Sequence, residues 1–192
     1  DALPISSLTD TNIGSVSGEI LSSDYYFNAS SDDDGNGTID NPYNTIAENK
    51  LKQDSVNYLA NGEYDLNFPL FNIDNSIFIL GEDVTNTILK SNHTRIIINK
   101  GEVLTLQNLT LLNISIFNNG GYLNITNCIF KNSLSLGPEN GIIKANLLSN
   151  NNLINSSFIG SYTKNSRAIY LFNSTLNANN ICVYNFSSVL TK

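Results

Sequence analysis

Residues Leu123–Asn132 read LNITNCIFKN, and degraded copies of the same phrase lie on both sides. Upstream is Leu104–Asn113 (LTLQNLTLLN), and downstream are Asn151–Gly160 (NNLINSSFIG) and Leu176–Asn185 (LNANNICVYN). Each copy has a short stretch of period-two alternation, an asparagine, and a second short stretch. Leu104, Leu106, Leu109 and Leu111 align with Leu123, Ile125, Cys128 and Phe130, and with Leu176, Ala178, Ile181 and Val183. Side chains two apart share a strand face, so each copy presents an apolar row that one coil cannot bury alone. Stacking the copies buries it. The asparagines at the break, Asn108, Asn127, Asn155 and Asn180, recur at intervals of 19, 28 and 25 residues, in the range of solenoid repeats.

An irregular period with constant internal spacing predicts an all-β fold, a right-handed parallel β-helix. Each coil contributes two or three short strands, and insertions leave through one turn. Asparagine suits the bend, because it tolerates the left-handed backbone region and its amide can bond the same amide one coil away. An asparagine-rich chain also aligns asparagines by chance, but here the flanking apolar positions agree as well. The four asparagines are therefore read as a structural ladder.

The chain has 192 residues, of which 41% are hydrophobic and 14% charged, with a net charge of -7. That length suits one domain with an elongated core. Ten basic residues spread singly through an acidic chain leave no footprint for nucleic acid. No apolar run approaches a membrane span, and no basic segment followed by an apolar one opens the chain. Residues 1–23 read as a leader or linker and 24–192 as the N-terminal part of a β-helix, monomeric and continuing beyond Lys192. The repeats stop there without a polar cap. Thr45–Leu51, with Ile46, Ala47 and Leu51 at helical spacing, is expected to form a short capping helix over the first coil. The alignment puts Cys128 inward and Cys182 outward, two coils apart and beyond disulfide reach, so two free thiols are expected. Nine Asn-x-Ser/Thr triplets are glycan acceptors if the protein is exported, with those at Asn108 and Asn155 reserved for the ladder.

Between Tyr25 and Ile46 the chain reads YYFNASSDDDGNGTIDNPYNTI, followed by VNYLANGEYDL and SIFILGEDVTNTIL. These phrases resemble the opening of the pectate-lyase-like β-helix domain in adhesin-like surface proteins of methanogenic archaea. In that family a tyrosine-rich strand, a D-G-x-G-T loop and N-P-[FY]-x-T-I open the helix. The resemblance covers about Asp24 to Lys192 and is most specific over its first third; the capping segment is shorter than the family's usual one. It implies an exported, glycosylated protein attached to the cell surface or wall, whose partners are glycans or the surfaces of other cells.

Asp32–Tyr43 also matches the first positions of an EF-hand loop. Asp32, Asp34, Asn36 and Asp40 would be the side-chain ligands of a calcium ion, with Gly37 at the sharp turn. The twelfth position, where a bidentate Glu belongs, is Tyr43, and neither flank reads as an EF-hand helix. A weaker calcium site built from the same carboxylates, and a plain solvated turn, are the alternatives.

β-Helices also host polysaccharide lyases and glycosidases, which need several carboxylates or a facing pair of them. After Asp83 the acids are Glu102 and Glu139 alone, so these coils assemble neither set. His93 and Arg95 fall in a turn between coils, and Arg167 reads as another surface residue. The expectation is a β-helical stalk or carbohydrate- and cell-binding module without catalytic residues. The rival reading is the non-catalytic N-terminal part of a carbohydrate-active β-helix enzyme of the polysaccharide lyase type.

Overall fold

A computed structural model describes residues 23–131, 141–160, 167–184 and 188–191. Strand β1 (Ser23–Phe27) precedes a first coil of β2 (Ser55–Leu59), β3 (Gly62–Leu66) and β4 (Leu70–Ile73). Then come β5 (Ile77–Gly81) with β6 (Thr87–Ile98), and β7 (Val103–Gln107) with β8 (Thr110–Asn119). The next coil is β9 (Tyr122–Thr126), β10 (Ile129–Lys131) and β11 (Ile143–Asn146). After it follow β12 (Asn150–Ile159) with β13 (Arg167–Leu171), and β14 (Thr175–Tyr184) with β15 (Ser188–Thr191).

All these strands join one 15-stranded sheet, every ladder of which is parallel. The sheet winds into a β-solenoid with three faces. The first stacks β1, β2, β5, β7, β9 and the first halves of β12 and β14. The second stacks β3, the starts of β6 and β8, β10, and the second halves of β12 and β14. The third stacks β4, the ends of β6 and β8, β11, β13 and β15. The described residues contain no helix, hence none long and apolar enough to cross a membrane.

The register is the one the repeat predicts. Leu104 lies beside Leu123, Leu106 beside Ile125, and Phe130 between Leu111 and Phe158. These inward side chains are fully buried, and the Phe130 and Phe158 rings stack with centroids 4.9 Å apart and planes 8° from parallel. Each such side chain contributes roughly 1.5–3 kcal/mol by leaving water. At the bend between the first and second faces Asn108, Asn127, Asn155 and Asn180 all hold the left-handed conformation, with φ of 55, 51, 49 and 53°. The Asn127 amide donates to Asn108 Oδ1 at 2.8 Å, and that of Asn180 to Asn155 Oδ1 at 3.0 Å.

The outer edge of β1 is covered by the glycine-rich acidic loop. Tyr26 N–H donates to Gly37 O (2.8 Å), Tyr43 N–H to Tyr26 O (3.0 Å), and Asn28 N–H to Tyr43 O (2.8 Å). Gly37 allows this approach with a φ of +84°; a Cβ there would lie 2.5 Å from the Tyr43 ring. Next in the chain, Ile46 and Leu51 close the core from above. The segment Thr45–Leu51 differs from the helix expected of it, being a single turn in which Lys50 and Leu51 N–H both donate to Ala47 O (2.9 and 3.2 Å). Seven residues give few bonds to offset helix nucleation, and two buried side chains suffice to hold the turn in place. Of the leader expected over residues 1–23, only Ser23 is among the described residues, where it opens β1. Leu176, Ile181 and Val183 of β14 sit on the inward row but remain half-buried, and Ala178 is exposed.

Candidate functional site

The acidic loop does not bring its expected calcium ligands together. Asp34 accepts hydrogen bonds from Lys50 Nζ and from Asn44 N–H, and the Lys50 bond is the main reason its carboxyl titrates below the usual range. Asn36 Oδ1 is turned onto Thr38, accepting from its N–H (3.2 Å) and its hydroxyl (2.9 Å). Asp32 and Asp40 are exposed, the latter at the tip of a turn closed by Asn41 N–H on Thr38 O. Among the described residues no group of His, Cys, Asp and Glu is placed to hold a metal. The ammonium of Lys50 supplies Asp34 with a cation, while Asp32, Asp33 and Asp40 stay exposed to water, which screens their mutual repulsion.

His93 lies exposed at the irregularity between the two halves of β6, with φ 90° and its N–H on Ser91 Oγ. Cys128 is buried and Cys182 exposed, both free. Burial pushes the Cys128 thiol up to about 12, which leaves it inert. Asp83, in the GEDVTNTIL phrase, accepts from Thr85 N–H, Thr85 Oγ1 and Asn86 N–H, so its part is to hold a turn. Gly81 stands where a Cβ would meet Asn108 O at 2.2 Å.

A cleft of about 230 Å³ opens on the outward side of the first face. Two outward rows form its walls. One runs Tyr122, Asn150, Thr175 in successive coils and the other Asn124, Asn152, Asn177; between them lies the inward row with Asn151. The floor is fixed by hydrogen bonds. Buried Asn151 donates to Thr175 O (2.9 Å) and accepts from Asn118 Nδ2 (3.0 Å), whose Oδ1 in turn accepts Gly121 N–H (2.9 Å). In the walls Thr175 Oγ1 donates to Asn150 Oδ1 (2.6 Å) and Asn177 Nδ2 to Asn152 Oδ1 (3.1 Å). Among the described residues, the Asn150 and Asn152 amino groups, Asn177 Oδ1 and both ends of the Asn124 amide find no further partner. Among the described residues, none that lines the cleft is charged.

Exposed apolar side chains gather at the corner leading into this face. Tyr122 is 47% exposed, and Leu147, Leu148 and Phe172, which precede Asn150 and Thr175, are 60, 71 and 63% exposed. Leu148 N–H donates to Asn173 O (2.7 Å), tying the two corners together. Leu147 and Leu148 both hold positive φ, 53 and 63°, a conformation that costs leucine roughly 1–2 kcal/mol per residue. The repeat alignment missed this cleft because it tracked the inward row and the ladder asparagines. The signal was present in the alternate positions, where Asn124, Asn152 and Asn177 occupy one column of the same alignment. No family model, curated protein or solved structure matches this chain.

Proposed function

We propose that this chain is a β-solenoid module of an exported surface protein, and that the cleft on its first face binds neutral sugars. The observation that carries the reading is the exposed ring of Tyr122 beside a column of asparagine amides with unused donors and acceptors. An aromatic ring stacks on the C–H face of a sugar, and an amide bonds a hydroxyl as donor or acceptor. The hydrogen-bonded floor holds these groups in place before the ligand arrives, which lowers the cost of ordering them. The absence of charge in the lining favours an uncharged ligand. A glycosidase needs two carboxylates around the scissile bond, and the described residues lining the cleft include none, so the proposed role is binding without hydrolysis. Export and attachment to the cell surface rest on the resemblance of the opening phrases to adhesin-like proteins.

A neutral-glycan array probed with the wild-type chain and with Tyr122→Ala and Asn124→Ala tests the proposal. Binding of neutral oligosaccharides should weaken in both variants, more in Tyr122→Ala. Binding that both variants retain unchanged would remove the cleft from consideration, and release of reducing sugar would overturn the non-catalytic role.

A further inference from the structure

The third face carries a second, chemically different row. Phe117, Lys144 and Tyr170 occupy one outward column in successive coils, Lys144 between the two rings. The Lys144 ammonium lies 5.3 Å from the Phe117 ring centre and 5.9 Å from that of Tyr170, and the Arg167 guanidinium lies 5.5 Å from the Tyr170 ring. Two other lysines find carboxylates among the described residues, Lys50 on Asp34 and Lys90 on Glu63 and Asp65. Lys144 and Arg167 meet no carboxylate among the described residues. A π face holds a cation in position and leaves its charge uncompensated, so these two remain available to an anion. Their surroundings reinforce this. The described residues from 84 onward hold six cations, of which Lys90 is already paired across coils, and one acid, Glu102.

We propose that this column is a binding strip for a carboxylate-bearing polysaccharide laid along the solenoid axis. Ring, cation and ring follow one another at the inter-strand spacing of about 4.8 Å. The half-buried faces and edges of Phe117 and Tyr170 offer apolar surface to sugar C–H groups, while Lys144 and Arg167 are within reach of carboxylates on the same chain; Arg167 can take one in bidentate fashion. The strip is distinct from the uncharged cleft on the first face, and the inference stands whether or not that cleft binds sugar.

Affinity of the whole chain is measured for four probes at low and moderate salt: a soluble polyuronate, a sulfated glycan, neutral dextran and inorganic polyphosphate. The polyuronate is expected to bind best, dextran not at this strip, and polyphosphate more weakly, because it has charge but no sugar ring. Lys144→Gln with Arg167→Gln should weaken polyuronate binding about tenfold or more, the scale of lost charge-assisted hydrogen bonds. Tyr170→Leu, which keeps both charges, should weaken it severalfold, and Tyr122→Ala should leave it unchanged. Circular dichroism of each variant establishes that the fold is retained. Undiminished polyuronate binding by the doubly neutral variant, tighter binding of the sulfated glycan, equal binding of polyphosphate, or no polyuronate binding at all would each overturn the proposal.

Discussion

Around β1 the core is fully buried, and in β14 the same kind of inward row is half-buried. Phe27 is fully buried and Ile46 and Leu51 are only 4% exposed under a loop that pairs with the outer edge of β1, whereas Leu176, Ile181 and Val183 of β14 stay half-buried on an equally regular inward row. Alternation selects which face a side chain points to; the neighbouring layer decides how much water it loses. A solenoid is stabilised by its intrinsic coils plus nearest-neighbour contacts, and among the described residues β14 pairs with β12 alone, so that its row collects only part of that sum there.

The sharpest test compares two positions of one inward row. Phe130→Ala, in the middle of the stack and against Phe158, should destabilise by about 3–5 kcal/mol in a denaturant titration. Val183→Ala, in β14, should cost about 1 kcal/mol or less because much of its surface is already wet. Equal costs would break the comparison.

Alkaline pH should act on the buried region next. Burial pushes the thiol of Cys128 and the phenol of Tyr64 each up to about 12, from ordinary values of 9.0 and 10.0. A raised folded pKa means that the unfolded chain gives up its proton first, so the stabilisation is complete below the unfolded value and fades as pH climbs toward 12. For the thiol the expected slope is about 1.4 kcal/mol per pH unit between its unfolded and folded values. Melting temperatures should fall through this window, less steeply in Cys128→Ala, and a flat profile would contradict the burial of both groups.

The ladder makes a smaller, separable contribution. Asn127→Ala loses the amide bond to Asn108 and forces alanine into the left-handed region, a combined cost of roughly 1–3 kcal/mol. Asn127→Gly loses the bond but keeps the backbone at ease, and should cost less. If glycine were as harmful as alanine, backbone conformation would not be what selects asparagine here. The smallest effect belongs to the loop over β1. Lys50→Met should lower the melting temperature slightly by freeing Asp34, and calcium should leave the wild-type melting temperature where it is. A calcium-dependent rise in the wild type would restore the metal site that the loop sequence suggests.

Two of the three faces were legible in the sequence. Leu104, Leu106, Leu109 and Leu111 find their partners in Leu123, Ile125, Cys128 and Phe130 because both strands around the asparagine keep constant spacing. The third face follows breaks of different length, a single Asn113 within β8 but a long segment between Lys131 and Ile143, so no fixed offset reveals it. The loop over β1 was legible as glycine-rich and acidic, but its role was not. Pairing Asp34 with Lys50 needs a contact across sixteen residues that no local pattern encodes. The outward cleft lies in the same alignment as the core, but polar side chains in alternate positions normally mean only solvent and so do not by themselves mark a site.

The uneven distribution of charge has a consequence beyond any one site. Residues 23–83 hold twelve acids against Lys50 and Lys52, while the described coils after them are basic. Coils are laid down along one axis in chain order, so the molecule carries a permanent electric dipole running lengthwise. In dilute buffer such dipoles attract one another end to end and repel when aligned side by side. At an ionic strength of 0.1 M, where fields decay over about 10 Å, that preference fades beyond the first layers of solvent. Solution scattering should therefore find interparticle interactions that depend more steeply on salt than a net charge of -7 would produce.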